Sequence, residues 1–258
     1  MQSVSLCDTV RVTRCSDGEI RVRCGGSGLP EGPENIAWKA AHAFFHAVGA
    51  ADAGAVIEIE KRIPVCAGMA GGSADGAAVL RALRQLCRPQ LPDAELERIG
   101  AAVGSDVPFC VRGGAALAEG RGEILTTLPG LPECEIVICK PEFGISTPEL
   151  YGRVRTEKLR RHPDTQAMRD ALAAGDLPAA AAAVCNVFEE VLAPDERRDI
   201  ARIEEALRRG GALSAAMTGS GPTVFGLFDR REAAELAART LRAEYRQTYL
   251  ARPLGRTE

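Results

Sequence analysis

Alternating apolar and polar positions open the chain and predict β-strands. Residues 3–24 contain two alternating strands around Asp17-Gly18, a dipeptide typical of a hairpin turn. A further strand is predicted over residues 55–65, where isoleucines alternate with glutamates. The pattern therefore predicts a sheet with one buried face.

A spacing of three to four residues between apolar positions marks the predicted helices. In "SADGAAVLRALRQLC", residues 73–87, Val79, Leu83 and Leu86 belong to one apolar stripe. Asp176 is predicted to be the N-cap of a later helix, with Pro178 in its first turn. Helices are predicted over residues 34–48, 73–87, 93–103, 147–160, 177–191, 195–209 and 231–245, and strands of the second half over 135–139, 213–228 and 247–251.

Strands and helices mix in both halves of the chain, so α+β is the predicted fold class. Prolines and glycines gather in "LPGLPECEIVICKPEFGISTP", residues 128–148, around one apolar strand. Such residues are typical of a connection between domains. The predicted domains are therefore residues 1–130 and 131–258.

Composition and charge narrow the class of protein. The chain has 258 residues, 46% of them hydrophobic, and a net charge of −3, an acidic balance that disfavours a nucleic-acid surface. No run of about 18 apolar residues predicts a membrane span, and the first ten residues do not resemble a signal peptide. The nine cysteines form no C-x-x-C pair, which favours reduced thiols and a cytoplasmic protein over a disulfide framework.

His42 and His46 have the i, i+4 spacing of two metal ligands on a helix. They lie in an amphipathic segment, and the chain's third and last histidine is His162. Ordinary positions on a helix face are therefore the favoured interpretation, and no metal site is predicted.

Residues 64–75, "PVCAGMAGGSAD", join a predicted strand to a predicted helix through small side chains. Glycines let backbone N–H groups converge on an anion, and a helix N-terminus adds its dipole. We therefore expect the loop to bend at Gly68, Gly71 and Gly72 and to cradle phosphate, with Ser73 capping the helix or reaching the phosphate. A structural turn is the alternative. The loop has neither the G-K-[ST] of a P-loop nor the G-x-G-x-x-G of a Rossmann fold.

Two other short segments are candidates for chemistry. "MTGSGPT", residues 217–223, is a second loop of small residues between apolar strands, and a tight hairpin is the alternative interpretation. In "GSDVPF", Asp106 follows a predicted helix. It either turns or caps the chain or acts as a general base toward a hydroxyl.

These three segments, in this order and spacing, resemble one family. "IPVCAGMAGGSADGAAVLRAL", "VGSDVPFCVRGGAALAEGRGE" and "AMTGSGPTVFGLF" are similar to segments of the small-metabolite kinases that include galactokinase, homoserine kinase, mevalonate kinase and phosphomevalonate kinase. They look most like the 4-diphosphocytidyl-2-C-methyl-D-erythritol kinase family. The resemblance implies a ribosomal protein S5 domain 2-like N-terminal domain and a ferredoxin-like C-terminal domain. It also implies transfer of the γ-phosphate of ATP, with Mg²⁺ bridging phosphates, to a tertiary hydroxyl.

The resemblance implies roles for the residues at matching positions. Asp106 matches the catalytic aspartate, Lys61 a lysine that contacts the nucleotide base, and Asn35 another adenine-side residue. Thr147 and Tyr151 match positions that hold the cytidine, where Tyr151 would stack on the cytosine ring; a half-buried helix aromatic is the alternative. The ATP phosphate loop maps onto Pro64, Val65, Cys66, Ala67, Gly68, Met69, Ala70, Gly71, Gly72, Ser73 and Ala74.

The chain departs from the family pattern at two loop positions and at its start. Ala70 stands where glycine is usual and Gly76 where alanine is usual, and both exchanges are small. The family's first strand, with Lys-Ile-Asn, and its Asp-Gly-Tyr-His segment have no counterpart, since "MQSVSLCD" aligns just after them. We therefore expect Met1 to be an internal methionine of a longer kinase, and these 258 residues to bind nucleotide weakly and transfer little phosphate.

Two alternatives stay open. One is another kinase of the superfamily, of the homoserine or mevalonate type, and the other is an inactive binding protein on the same scaffold. The expected partners are ATP and a small-molecule substrate, with no nucleic acid and no membrane.

Overall fold

Residues 1–26 and 28–256 are described by a computed structural model of the chain. This part of the chain contains nine α-helices and nine β-strands, with short 3-10 segments at Thr156–Lys158 and Val187–Val191. The strands are β1 (Thr9–Cys15), β2 (Ile20–Arg23), β3 (Gly54–Glu60), β4 (Ala115–Glu119), β5 (Ile124–Leu128), β6 (Glu135–Lys140), β7 (Ser214–Met217), β8 (Val224–Phe228) and β9 (Gln247–Ala251). The helices are α1 (Ile36–Ala47), α2 (Gly71–Cys87), α3 (Asp93–Ala101), α4 (Val107–Arg112), α5 (Thr147–Arg153), α6 (Thr165–Ala174), α7 (Leu177–Ala182), α8 (Pro194–Arg209) and α9 (Arg231–Arg242).

The first three strands form one sheet in the order β1-β3-β2. β3 pairs antiparallel with β1 and parallel with β2. The hairpin predicted at Asp17-Gly18 is therefore wrong, because β3 lies between the two strands that this turn joins. The physical reason is the connection after β2: α1 carries the chain back across the sheet, so that the apolar β3 enters parallel to β2.

Two helices, α1 and α2, cover one face of this sheet. Ile57 of β3 is buried together with Phe44 of α1 and Leu80 of α2. The apolar stripe predicted on α2 is confirmed except at Leu86, which is exposed in the last turn of the helix. Gly76 allows the two helices to approach, since a Cβ at this position would lie 2.8 Å from Cγ2 of Ile36. Residues of α3 and α4 complete the same core.

The last four strands form an antiparallel sheet in the order β7-β8-β6-β9. Val137 and Cys139 of β6 are buried in the core that includes α8 and α9, whereas Ile136 and Ile138 are buried in a second cluster that includes α7. With α8 between β6 and β7 and α9 between β8 and β9, this is the ferredoxin-like order. The predicted two-domain α+β class is confirmed.

The second half differs from the prediction in three places. The helix predicted over residues 147–160 ends at Arg153, and that predicted over 177–191 ends at Ala182. α6 was not predicted from the sequence, and in the first half neither were α4, β4 and β5. Asn186 accounts for the end of α7, because its side chain accepts from the N–H of Phe188 and starts a 3-10 turn instead. The N-cap predicted at Asp176 is confirmed.

The first residues of the chain hydrogen-bond to both halves. The N–H of Ser3 donates to the carbonyl of Gly114 at 2.8 Å, and that of Ser5 to the carbonyl of Arg252 at 2.9 Å. The domain division at residue 130 stays a prediction. All nine cysteine thiols are free. Within residues 1–26 and 28–256, no helix combines the length and the apolar character needed to cross a membrane.

Candidate functional site

The loop between β3 and α2 turns through left-handed residues. Cys66, Gly68 and Ala70 have φ angles of +52°, +66° and +52°. The expected bend at Gly68 is confirmed. Cys66 and Ala70 adopt a conformation that costs a residue with a Cβ about 1–2 kcal/mol, and such strain is concentrated at functional sites.

Three details of the predicted loop are wrong. α2 begins at Gly71 with Ala70 at the N-cap, so Ser73 is not the cap, and neither Gly71 nor Gly72 bends the chain through a positive φ. Gly71 and Gly72 lack a side chain because neighbouring isoleucines pack closely against them. A Cβ on Gly71 would lie 3.0 Å from Cγ2 of Ile63, and one on Gly72 would lie 3.2 Å from Cδ1 of Ile36.

The start of α2 can bind an anion. Among the described residues no side chain caps this helix, and the N–H groups of its first turn precede the first intrahelical bond, from the N–H of Ala74 to the carbonyl of Ala70. α2 has 17 residues, so its dipole adds to these donors. The loop and the helix start therefore present backbone donors of the kind that bind anions, and the phosphate cradle stays a prediction.

The two glycine-rich loops, which lie far apart in sequence, touch each other. A Cβ on Gly68 would lie 2.4 Å from the carbonyl oxygen of Thr218 and 2.6 Å from the nitrogen of Gly221, and one on Gly219 would lie 2.7 Å from the carbonyl oxygen of Gly68. The side chain of Met69 packs on the apolar cluster that contains β6. The loop of residues 217–223 is the turn of a hairpin, as the alternative interpretation predicted, because β7 and β8 pair antiparallel up to Met217 and Val224. This turn also packs against the loop that follows β3.

Two side chains that the sequence analysis did not single out hydrogen-bond to the backbone of the second loop. Asn186 donates to the carbonyls of Met217 and Gly219 at 2.7 and 2.9 Å, and Glu189 accepts from the N–H of Met217 at 2.9 Å. Asn186 is the N-cap of the 3-10 segment Val187–Val191, and Glu189 lies within that segment. In the sequence, the signal for both was the polar character of these two positions after the alanine run of residues 179–183.

Thr147, at the start of α5, lies against the second loop. Its hydroxyl is 2.8 Å from that of Ser220. Tyr151, one turn later, is 62% exposed and meets the ring of Phe188 edge-on, with the centroids 4.9 Å apart. The alternative of a half-buried aromatic does not describe Tyr151, because most of its ring is open to a ligand.

Asp106 is the N-cap residue of the short helix α4 but caps nothing with its side chain. Its carboxylate has no hydrogen-bond or ionic partner in the described chain, and burial raises its pKa above the ordinary value. The turn between β4 and β5 covers it, with the Cβ position of Gly122 3.5 Å from Oδ1. The guanidinium of Arg81 on α2 donates to the carbonyl of Cys110 at 2.6 Å and so connects α4 to the phosphate-loop helix.

Lys61 and Asn35 are both engaged by the protein itself. The ammonium of Lys61 donates to Asp8 at 2.5 Å and to Asp75 at 2.7 Å. Asn35 is the N-cap of α1, where it accepts from the N–H of Ala37 and donates to the carbonyl of Pro30. The sequence analysis missed Asp8 and Asp75, although both stand beside predicted elements of the site.

A groove of about 440 Å³ opens next to the phosphate loop. It runs from the end of β2 past the end of β3 to the edge strand β9 and is lined by Gly25, Gly26, residues 59–65, Gln247 and Tyr249. Among the described residues there is no group of three His, Cys, Asp or Glu side chains that could hold a metal ion. His42 instead stacks on the ring of Trp38.

The chain is similar to known kinases along nearly its whole length. Two family models match it, "GHMP kinases N terminal domain" over residues 35–114 and "GHMP kinases C terminal" over residues 168–247. A 4-diphosphocytidyl-2-C-methyl-D-erythritol kinase of Brevibacillus brevis is 41% identical over 261 residues, covering 100% of this chain and 88% of its own. The crystal structure of a 4-(cytidine 5'-diphospho)-2C-methyl-D-erythritol kinase superposes with a TM-score of 0.80 at 33% identity, over 98% and 88% of the two chains. A homoserine kinase from Cytophaga hutchinsonii has the same fold, with a TM-score of 0.77 at 18% identity over 97% and 87% of the chains.

Proposed function

Given that the chain belongs to the GHMP kinases and, within them, to the 4-diphosphocytidyl-2-C-methyl-D-erythritol kinase family, we propose that it phosphorylates 4-diphosphocytidyl-2-C-methyl-D-erythritol with ATP. The group transferred is the γ-phosphoryl of ATP, and the acceptor is the tertiary 2-hydroxyl. The observation that carries the proposal is the 41% identity along the whole chain to a kinase of that name, against 18% to the homoserine kinase of the same fold.

The phosphates would bind where the two glycine-rich loops meet. The N–H groups at the start of α2 point their partial positive charge at this place, and the left-handed residues Cys66, Gly68 and Ala70 turn the backbone toward it. The base would lie in the groove beside the loop. Lys61 would line it with its backbone and aliphatic stem, whereas Asn35 is not among the lining residues and would act only by capping α1.

Asp106 would act as the general base. The attacking hydroxyl forms a bond to the γ-phosphorus, the bond from that phosphorus to the bridging oxygen of ADP breaks, and the hydroxyl proton moves to the Asp106 carboxylate. Burial raises the pKa of Asp106, and its carboxylate is therefore a stronger base toward the hydroxyl proton than an exposed aspartate is. Most of the remaining acceleration comes from positioning and neutralising the phosphates.

The acceptor would lie on the side of the second half of the chain. The exposed ring of Tyr151 offers a face for the cytosine, and the Thr147–Ser220 hydroxyl pair connects that position to the loop that touches the phosphate site. Mg²⁺ neutralises charge on the phosphates in transfers of this type. It often binds through substrate phosphates and waters, which fits a chain whose described residues offer no ready-made metal cage.

A phosphotransfer assay tests the proposal. The purified chain is incubated with ATP and Mg²⁺ and, separately, with 4-diphosphocytidyl-2-C-methyl-D-erythritol, homoserine, mevalonate or galactose, and the products are identified by mass spectrometry and phosphorus NMR. We expect one phosphoryl group, transferred at a low rate, on the tertiary hydroxyl of the first compound only. Preferred phosphorylation of another acceptor, or ATP binding without transfer to any acceptor, would contradict the proposal.

A further inference from the structure

Three buried charged side chains lie directly behind the phosphate loop. Nζ of Lys61 is 2.5 Å from Oδ2 of Asp8 and 2.7 Å from Oδ2 of Asp75, and the three side chains are only 9%, 3% and 5% exposed. We call Asp8, Lys61 and Asp75 the clamp. Two of the three N–H donors of its ammonium are engaged by these carboxylates.

The clamp reaches both ends of the loop. Oδ1 of Asp8 accepts from the N–H groups of Arg62 and Ile63 at 2.5 and 2.8 Å, at the point where the chain leaves β3. Asp75 belongs to the first part of α2, where the chain has left the loop. One series of hydrogen bonds, centred on Lys61, therefore connects the residues that enter the loop to the helix that follows it.

Stability by itself does not account for the clamp. Two carboxylates share one ammonium, which leaves a buried net charge of −1, and Oδ1 of Asp75 has no hydrogen-bond partner within the described residues. Burial raises the pKa of Asp75 to about 6, against the opposing effect of Lys61. Unpartnered buried polar atoms destabilise a fold, and replacing buried ion pairs by apolar side chains is often neutral or stabilising.

We propose that Asp8, Lys61 and Asp75 are positioning residues that hold the two ends of the phosphate loop together, so that the loop has its binding conformation before a ligand arrives. A preformed loop loses less conformational entropy when it binds, which raises affinity. The inference rests on the proposed function only for the identity of the ligand, the phosphates of ATP. Lys61 then serves nucleotide binding through the loop and not through its charge on the base.

Asp75 is the best position for the test. Removing Lys61 would leave two buried carboxylates unpaired, a change that commonly unfolds a domain. Asp75→Ala instead leaves the balanced Asp8–Lys61 pair and removes only the bond to α2. Asp75→Asn keeps the volume and one acceptor, and it provides the test if the alanine variant does not fold. Asp93→Ala is the control, because it breaks the ion pair with Arg84 at the other end of α2, together with the exposed pair between Asp93 and Arg256.

Hydrogen–deuterium exchange without nucleotide measures whether the loop is held. In Asp75→Ala we expect exchange in residues 62–74 to become about tenfold faster, the effect of losing one charge-assisted hydrogen bond, with a smaller increase in Asp75→Asn. Exchange in α8 and α9 should stay within twofold of the parent, and Asp93→Ala should leave residues 62–74 unchanged. Unchanged loop exchange in a folded variant, or an equal increase along the whole chain, overturns the proposal.

Calorimetry with ATP separates this inference from the proposed function. We expect the dissociation constant for ATP to rise in Asp75→Ala by about the factor by which loop exchange rises. Faster loop exchange with unchanged ATP affinity would support the clamp and contradict the assignment of the loop as the ATP site. If exchange in Asp75→Ala becomes faster only in residues 62–74 and the parent chain phosphorylates no acceptor, the clamp is supported and only the kinase activity is contradicted.

Discussion

At the scale of single residues, the site depends on a carboxylate without a partner. Asp106 is half-buried at the start of α4, and none of the described side chains neutralises it. A carboxylate that only capped the helix would accept from a backbone N–H of its first turn, and Asp106 does not. This geometry leaves both of its oxygens free for the proton of a substrate hydroxyl.

Asp106→Asn should leave ATP affinity nearly unchanged and lower turnover by about 10² to 10⁴-fold, the usual loss of a general base. In the parent, activity should fall as the pH drops through the raised pKa of Asp106, because the protonated carboxyl cannot accept a proton. Steady-state kinetics over a pH series check both points. The asparagine variant should lose this acidic limb, and turnover within a factor of two of the parent would refute the role of Asp106.

At the scale of elements, the phosphate loop is shaped by contact between two backbones. Gly68 has a φ of +66°, and its Cβ position is occupied by the carbonyl of Thr218 at 2.4 Å. A Cβ at Gly68 and the carbonyl of Thr218 are both fixed to backbone and cannot rotate away. The two loops must therefore separate if Gly68 gains a Cβ. The conformation of the phosphate loop therefore depends on the conformation of the loop of residues 217–223, and the reverse is also true.

Gly68→Ala should raise the dissociation constant for ATP at least tenfold and lower the midpoint of thermal unfolding. Gly175→Ala is the matched control, because Gly175 has the same φ of +66° at the end of α6 with no atom within 4 Å of its Cβ position. The control should show only the left-handed strain of about 1–2 kcal/mol and normal ATP affinity. Equal effects of the two substitutions on ATP binding would show that contact between the loops is unimportant.

At the scale of the whole molecule, the two halves contribute different sides of one site. The loop proposed to bind phosphate, the groove beside it and Asp106 come mainly from the first half, whereas Thr147, Tyr151 and the second glycine loop come from the second. The halves meet at Gly68 and through hydrogen bonds from the first residues of the chain. The donor and acceptor substrates should therefore be separable by mutation.

Tyr151→Ala should raise KM for the cytidine-bearing acceptor about 5- to 150-fold, which corresponds to base–aromatic stacking worth about 1–3 kcal/mol, and should leave KM for ATP unchanged. Leu236→Ala is a suitable control, since Leu236 is 59% exposed on α9 and thus resembles Tyr151 in exposure. Equal increases in both KM values would instead indicate a structural role for Tyr151.

The sequence by itself determined the features that depend on neighbouring residues. Apolar spacing located α1, α2, α8 and α9, Asp176 marked the start of α7, and the small residues after β3 located the phosphate loop. Each of these follows from backbone preferences and side-chain periodicity within a few residues, which are properties of a local segment. Motif order was sufficient to indicate the kinase family and the two-domain α+β class.

Only the tertiary structure decided the contacts between distant segments. β3 entered between β1 and β2 because α1 returns the chain parallel to β2, and no local turn signal contains that choice. Lys61 met Asp8, 53 residues away, and Gly68 met the loop at residues 218–221 because two cores brought the backbones together. Left-handed φ angles at Cys66 and Ala70 likewise contradict local preference and persist only because the surrounding packing imposes them.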